Sequence, residues 1–139
     1  MKDYSYLITP FLAWLVAGSC KFVINSLKAG KPAFGLIGYG GLPSNHSAIV
    51  GSMAALIALR EGIGHPAFGV AVTLAFIVVL DANSLRRQIG LQARAINELR
   101  DSREKGALRE RMGHSRAEIL AGLLVGSLVA WLVVLVLPL

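Results

Sequence analysis

The chain has 139 residues, 55% of them hydrophobic and only 16% charged, and its mean hydropathy is +0.62. That balance excludes an ordinary soluble domain and indicates an integral membrane protein with one domain, residues 1–139. The net charge of +6 does not point to nucleic acid, because the basic residues flank apolar runs without interleaved aromatics; anionic lipid headgroups suit them better.

The N-terminal Met1-Lys2-Asp3 leads straight into a long apolar run with no small-residue cleavage site, so a retained span is expected rather than a cleaved signal. The first span is predicted from about Tyr6 to Leu27. Pro10 falls in its first turns, where a missing N–H matters least. Tyr4, Tyr6 and Trp14 suit an interfacial or near-interfacial end. The single Cys20 lies inside the apolar run, which excludes a disulfide framework and a cysteine metal site. Lys21, Asn25 and Lys28 follow at i, i+4 and i+7 and so share one helical face. Snorkelling to headgroups accounts for Lys28 but less readily for Lys21, two turns deeper.

Lys31 to Leu42 is a glycine-rich connector, apolar enough at Phe34, Leu36 and Ile37 to dip into the membrane edge. Gly40-Gly41-Leu42-Pro43-Ser44-Asn45-His46-Ser47 closes it. Ser44 and Asn45 are helix-starting residues, so His46 is placed in the first turn of a second span running to about Leu59. A helix N-terminus presents unpaired N–H groups and a partial positive charge, the setting in which anions bind. The plain alternative is a capped junction with a bystander histidine. Arg60 to His65 is a tight turn, with His65 on the surface, and Pro66 opens a third span that stays apolar to Leu80.

Nothing from Asp81 to Arg87 breaks the helix, so it is expected to continue past the membrane. Leu85, Ile89, Ile96 and Leu99 form a narrow apolar stripe beside charged residues, the pattern of an amphipathic extension that packs on the bundle, the interface or another subunit. Gly106 and Gly113 bound a short basic segment. The last span runs from about Ser115 to Leu137 and carries Gly122-x-x-x-Gly126, a close-packing signal. The fold class is therefore all-α: a polytopic membrane protein with about four transmembrane helices and a cytoplasmic amphipathic extension of the third.

Four spans put both termini on one side. The opposite side then holds Lys21, Lys28, Lys31 and the nine Lys/Arg from Arg86 to Arg116, twelve of the fourteen. The positive-inside bias makes that side cytoplasmic and both termini non-cytoplasmic in a multi-pass protein of the cell membrane. It also gathers there Lys21, Lys28, Ser44, Asn45, His46, Arg86, Arg87, His114 and Glu118.

His114 and Glu118 are i, i+4 and stack on one helical face. A carboxylate beside an imidazole sets its tautomer and strengthens the other ring nitrogen as a nucleophile or base. Ser115-Arg-Ala-Glu118 equally fits a capping box in which Glu118 only ties down the helix start. Phosphate-ester cleavage needs an in-line nucleophile, a proton donor for the leaving alkoxide and cations around the equatorial oxygens. His114 would attack, Glu118 would orient it, and His46 would protonate the leaving alcohol and then activate water. Lys21, Lys28, Arg86 and Arg87 would hold the phosphoryl group with Ser44 Oγ and the N–H groups near Asn45 and His46. No metal and no other cofactor is required.

These residues carry a family resemblance. Pro43-Ser44-Asn45-His46 resembles the Pro-Ser-Gly-His motif of the type-2 phosphatidic acid phosphatases, relatives of the vanadium haloperoxidases, with Asn45 in place of glycine. His114-x-x-x-Glu118 resembles that superfamily's His-x-x-x-Asp. The whole pattern is most similar to the small divergent branch of acid phosphatase/vanadium-dependent haloperoxidase-related membrane proteins. The resemblance implies a metal-independent lipid phosphatase with His114 as nucleophile and His46 as acid. Of the superfamily's first motif, a lysine with Arg-Pro seven residues on, Lys28 keeps the spacing from Lys21 without the proline. The third motif's arginine would fall near Leu108, so Arg86 or Arg87 is expected to substitute from another helix.

The resulting expectation is a hydrolase acting on a lipid phosphate monoester or diphosphate of the phosphatidic acid, phosphatidylglycerophosphate or polyprenyl phosphate type, through a phosphohistidine. The alternatives are a non-enzymatic lipid-phosphate binder or carrier, and a membrane assembly subunit. A homodimer packed through Gly126 or the Leu85–Leu99 stripe is also expected.

Overall fold

The computed structural model describes residues 4–34, 41–99, 106–110 and 112–137. The middle of the expected connector, with Leu36, Ile37 and Gly40, lies outside the described residues. So do Lys2 and, in the basic region, residues 100–105 and 111. The chain is mostly helical, with no strand among the described residues. Its elements are α1 (Ser5–Ala29), α2 (Asn45–Arg60), α3 (Pro66–Leu80), a π-helical turn (Asp81–Leu85), α4 (Arg86–Leu99) and α5 (Arg116–Val136).

Among the described residues, three helices are long and apolar enough to cross a bilayer: α1, the continuous Pro66–Leu99 helix, and α5. The segment expected as the second span is shorter. α2 has 16 residues, against the roughly 20 that cross a hydrocarbon layer. Its role is central rather than peripheral, because it packs on α1, α3 and α5 alike. The reason is its composition. Ser47, Ala48, Gly51 and Ser52 are buried on α2, and side chains this small let neighbouring backbones approach closely.

The closest approach is to α5. A Cβ on Gly122 would run into the Ser44 carbonyl and Ser47 Cβ, and one on Gly126 into the Ala48 carbonyl and Ser52 N. The Gly122-x-x-x-Gly126 seam is thus occupied within the chain. The face of α5 that carries Gly126 is therefore turned to α2. α1 adds its own seam of small buried residues, Ser5, Thr9, Ala13 and Ala17. Ala13 joins Leu56 of α2 and Val129, Ala130 and Val133 of α5 in the main core cluster. Pro10 sits inside α1 as expected.

Contacts at the helix ends set the directions. At one end Tyr6 donates to Glu61, Arg60 stacks over the Tyr6 ring, and Arg60 donates to the Leu137 carbonyl. The start of α1, the end of α2 and the end of α5 therefore meet. α3 begins close by, after a five-residue connection in which the exposed His65 caps the helix, its Nδ1 accepting from the Ala67 N–H at 3.2 Å. The other end holds the starts of α2 and α5 and the π-turn, and it holds the polar cluster.

Candidate active site

Backbone hydrogen bonds join three junctions at that polar end. The Ser44 N–H, at the start of α2, donates to the Glu118 carbonyl of α5 at 2.9 Å. The His114 N–H, just before α5, donates to the Ala82 carbonyl in the π-turn at 3.0 Å. Gly113 adopts φ 92°, a left-handed value that suits glycine, and a Cβ there would press on the Arg87 N. The two histidine-bearing helix starts and the π-turn are thus positioned by main-chain contacts that do not depend on side-chain rotamers.

Ser44 caps α2 and is fully buried. Its Oγ accepts from the Ser47 N–H at 3.4 Å and lies 3.0 Å from the Ser47 hydroxyl. It therefore serves the helix start and does not line the cleft. The next two residues, Asn45 and His46, do line it. The cleft has a volume of about 720 Å³, and Lys21, Asn25, Arg86, Arg109 and His114 complete its polar end. Trp14, Leu15, Phe22 and Val23 of α1 and Ile49 of α2, with Phe34 from the segment after α1, make an apolar wall. Trp14 thus borders the cleft instead of marking a helix end. Gly41, at φ 142°, brings the loop before α2 against Asn25 and the Lys21 side chain.

His46 is within electrostatic range of Arg86, His114, Lys21 and Asp81. Lys21 is likewise within range of Glu118 and Arg109. The two imidazoles, from different helices, therefore share one pocket and one set of cations.

The His114 side chain is 7% exposed, and its Nδ1 lies 3.0 Å from Glu118 Oε2. A carboxylate only accepts, so Nδ1 is the donor, and in the neutral imidazole Nε2 then keeps its lone pair. The same Oε2 accepts from the Ser115 N–H at 3.0 Å, and Ser115 Oγ accepts from the Glu118 N–H at 3.2 Å. The capping box and the His–Glu pair coexist on one oxygen, so the two readings of Glu118 are not rivals. Glu118 itself lies behind His114, in a smaller cleft with Arg87 and Asn83.

The expected phosphate-holding cations separate. Arg86 lines the main cleft, its Nε bonded to Asp81 Oδ2 at 2.8 Å. Arg87 lines the smaller cleft on the far side of His114. Lys28 is exposed and borders neither. Its i+7 spacing from Lys21 shares a face but displaces it about 10 Å along the axis. Arg109 was not among the expected residues, and it lines the cleft from the segment leading back to α5. Its signal was present, since it lies one residue beyond Leu108, where the resemblance places the third motif's arginine.

A family model described as the Divergent PAP2 family matches residues 3–129. The chain belongs to that family. Among curated proteins it is 29% identical over 140 residues to a Bacillus subtilis (strain 168) protein named "Uncharacterized membrane protein YuiD", covering 88% of this chain and 89% of that one. No solved structure matches it. Membership in the Divergent PAP2 family accords with a phosphatase-related role at a membrane.

Proposed function

We propose that this Divergent PAP2 member is a lipid phosphate phosphatase with its active site on the cytoplasmic face. On this reading α2 is a fourth, shorter crossing and both termini are non-cytoplasmic. The observation that carries the proposal is the convergence of His46 and His114 on one cleft with Lys21, Arg86 and Arg109, His114 being backed by Glu118.

The chemistry follows from that arrangement. His114 Nε2 attacks phosphorus as the ester P–O bond breaks. The leaving alkoxide takes a proton from protonated His46. Neutral His46 then takes a proton from water, the resulting hydroxide attacks phosphorus, and the N–P bond breaks to release phosphate. Lys21, Arg86 and Arg109 offset the charge on the equatorial oxygens, with Asn45 and the first N–H groups of α2 beside them. Ser44 supports this group by capping α2. Lys28 and Arg87 act farther out, at the headgroup level and behind His114. The apolar wall along α1 suits a substrate whose chain remains in the bilayer, as a phosphatidic acid, phosphatidylglycerophosphate or polyprenyl phosphate would.

The test is phosphate release from short-chain lipid phosphates by the purified full chain. The expected result is turnover that His114→Ala abolishes while lipid phosphate binding persists. Release unaffected by that substitution would remove the assignment. Binding without release by the unaltered chain would leave a lipid-phosphate carrier in its place.

A further inference from the structure

The Pro66–Leu99 helix carries an apolar line that stays exposed among the described residues. From the end of the π-turn through α4 it consists of Leu85, Ile89, Gln92, Ile96 and Leu99, at intervals of four, three, four and three. The four apolar members are 41–88% exposed. The neighbouring face of α4 is already engaged. Gly90 and Ala93 are buried, Gly90 lies against the Glu110 carbonyl, and the Asn97 side chain brackets Leu108. The stripe is therefore a separate surface, turned away from the segment that returns to His114.

The stripe extends along α3. Val70, Leu74 and Ile77 are exposed and spaced four and three apart. From Ile77 the line passes through Asp81 to Leu85 and Ile89 in three successive steps of four. In an unbroken α-helix three such steps would drift off the face. The wider π-turn at Asp81–Leu85 takes up the drift. Hydrogen bonding continues through it, the Arg86 N–H donating to the Asp81 carbonyl.

We infer that this line is the contact surface for a second copy of the chain, joined as a parallel two-helix coiled coil through α4. A second copy fits this line in three respects. First, the continuous helix of 34 residues is about 51 Å long, whereas the hydrocarbon layer is about 30 Å thick. With α3 as the spanning part, α4 stands beyond the reach of lipid chains. Second, the residues fit the two-stranded parallel pattern. Ile89 and Ile96 fall at the a positions and Leu85 and Leu99 at the d positions. Gln92, at the central d position, can pair with its equivalent and set the register. Two copies inserted in the same sense have parallel α4 helices without further requirement. Third, Val70, Leu74 and Ile77 continue the stripe along the same line, adding contact area toward the roughly 800 Å² per partner of a standard interface. The inference does not depend on the phosphatase reading, and its test needs no activity.

The test uses single cysteines in the full-length chain, in a Cys20→Ser background, oxidised in native membranes. Ile96→Cys and Leu99→Cys are expected to shift from the monomer to the dimer position on a non-reducing gel. Arg94→Cys, on the opposite side of α4, is expected to remain at the monomer position. No shift at Ile96, or an equal shift at Arg94, would overturn the inference. As a second measurement, the mass in lipid nanodiscs is expected to be that of two chains. In the double variant Ile89→Lys/Ile96→Lys it should fall to one chain with helical circular dichroism unchanged. A single-chain mass for the unaltered protein would also overturn it.

Discussion

The two ends of the helix bundle both carry polar residues, and they use them differently. At the end where the start of α1 meets the ends of α2 and α5, polar groups pair among themselves. Tyr6 donates to Glu61, while Arg60 lies over the Tyr6 ring and donates to the Leu137 carbonyl. Neither described cleft is lined by any of these residues. At the other end the backbone takes on the pinning, through Ser44 to Glu118 and His114 to Ala82, and leaves side chains directed at a cleft. Polar residues that fasten helices satisfy one another, whereas residues available to a ligand sit where the main chain has already done the fastening.

The largest effect that would sharpen this contrast is on His46. His46→Ala removes the proposed acid and base, and phosphate release is expected to fall by about 10²–10⁴. A pre-steady-state assay with a good leaving group should recover part of the first step, because such a group needs no proton. Equal loss with good and poor leaving groups would separate His46 from that role.

A smaller effect is expected from the packing that holds the two histidine-bearing helix starts together. Gly122→Val places a side chain against the Ser44 carbonyl and Ser47, and overpacking of this kind costs about 1–3 kcal/mol. Thermal unfolding in detergent should show the loss. An unchanged midpoint would mean that α2 and α5 do not approach as closely as described.

The smallest effect belongs to the opposite end. Tyr6→Phe removes the hydroxyl that donates to Glu61, an exposed contact worth about 0.5 kcal/mol. Phosphate release should be unchanged. A large loss of release from this substitution would break the distinction between the two ends.

Much of the local structure was legible from residue order. Ser44 and Ser115 start helices because their hydroxyls satisfy otherwise unpaired N–H groups. The third helix continues beyond Leu80 because no glycine or proline lies between Leu80 and Ile89. His114 and Glu118 meet because four residues make about one turn. The cleft was only partly legible. The choice between Arg86 and Arg87 depends on how the π-turn rotates α4. Arg109 reaches the cleft from the irregular segment 106–110, which no helical period governs.

By itself, the sequence determined the apolar helices, their caps and the pairing of His114 with Glu118, since each depends on residues within a turn or two of one another. The tertiary structure alone decided that Gly122 and Gly126 receive α2, that Lys28 lies outside the cleft, and that His46, His114, Lys21, Arg86 and Arg109 border the same one. The physical reason is that helical periodicity specifies the direction in which a side chain points. Its depth along the bundle and the helix it meets depend on how four separate helices pack together.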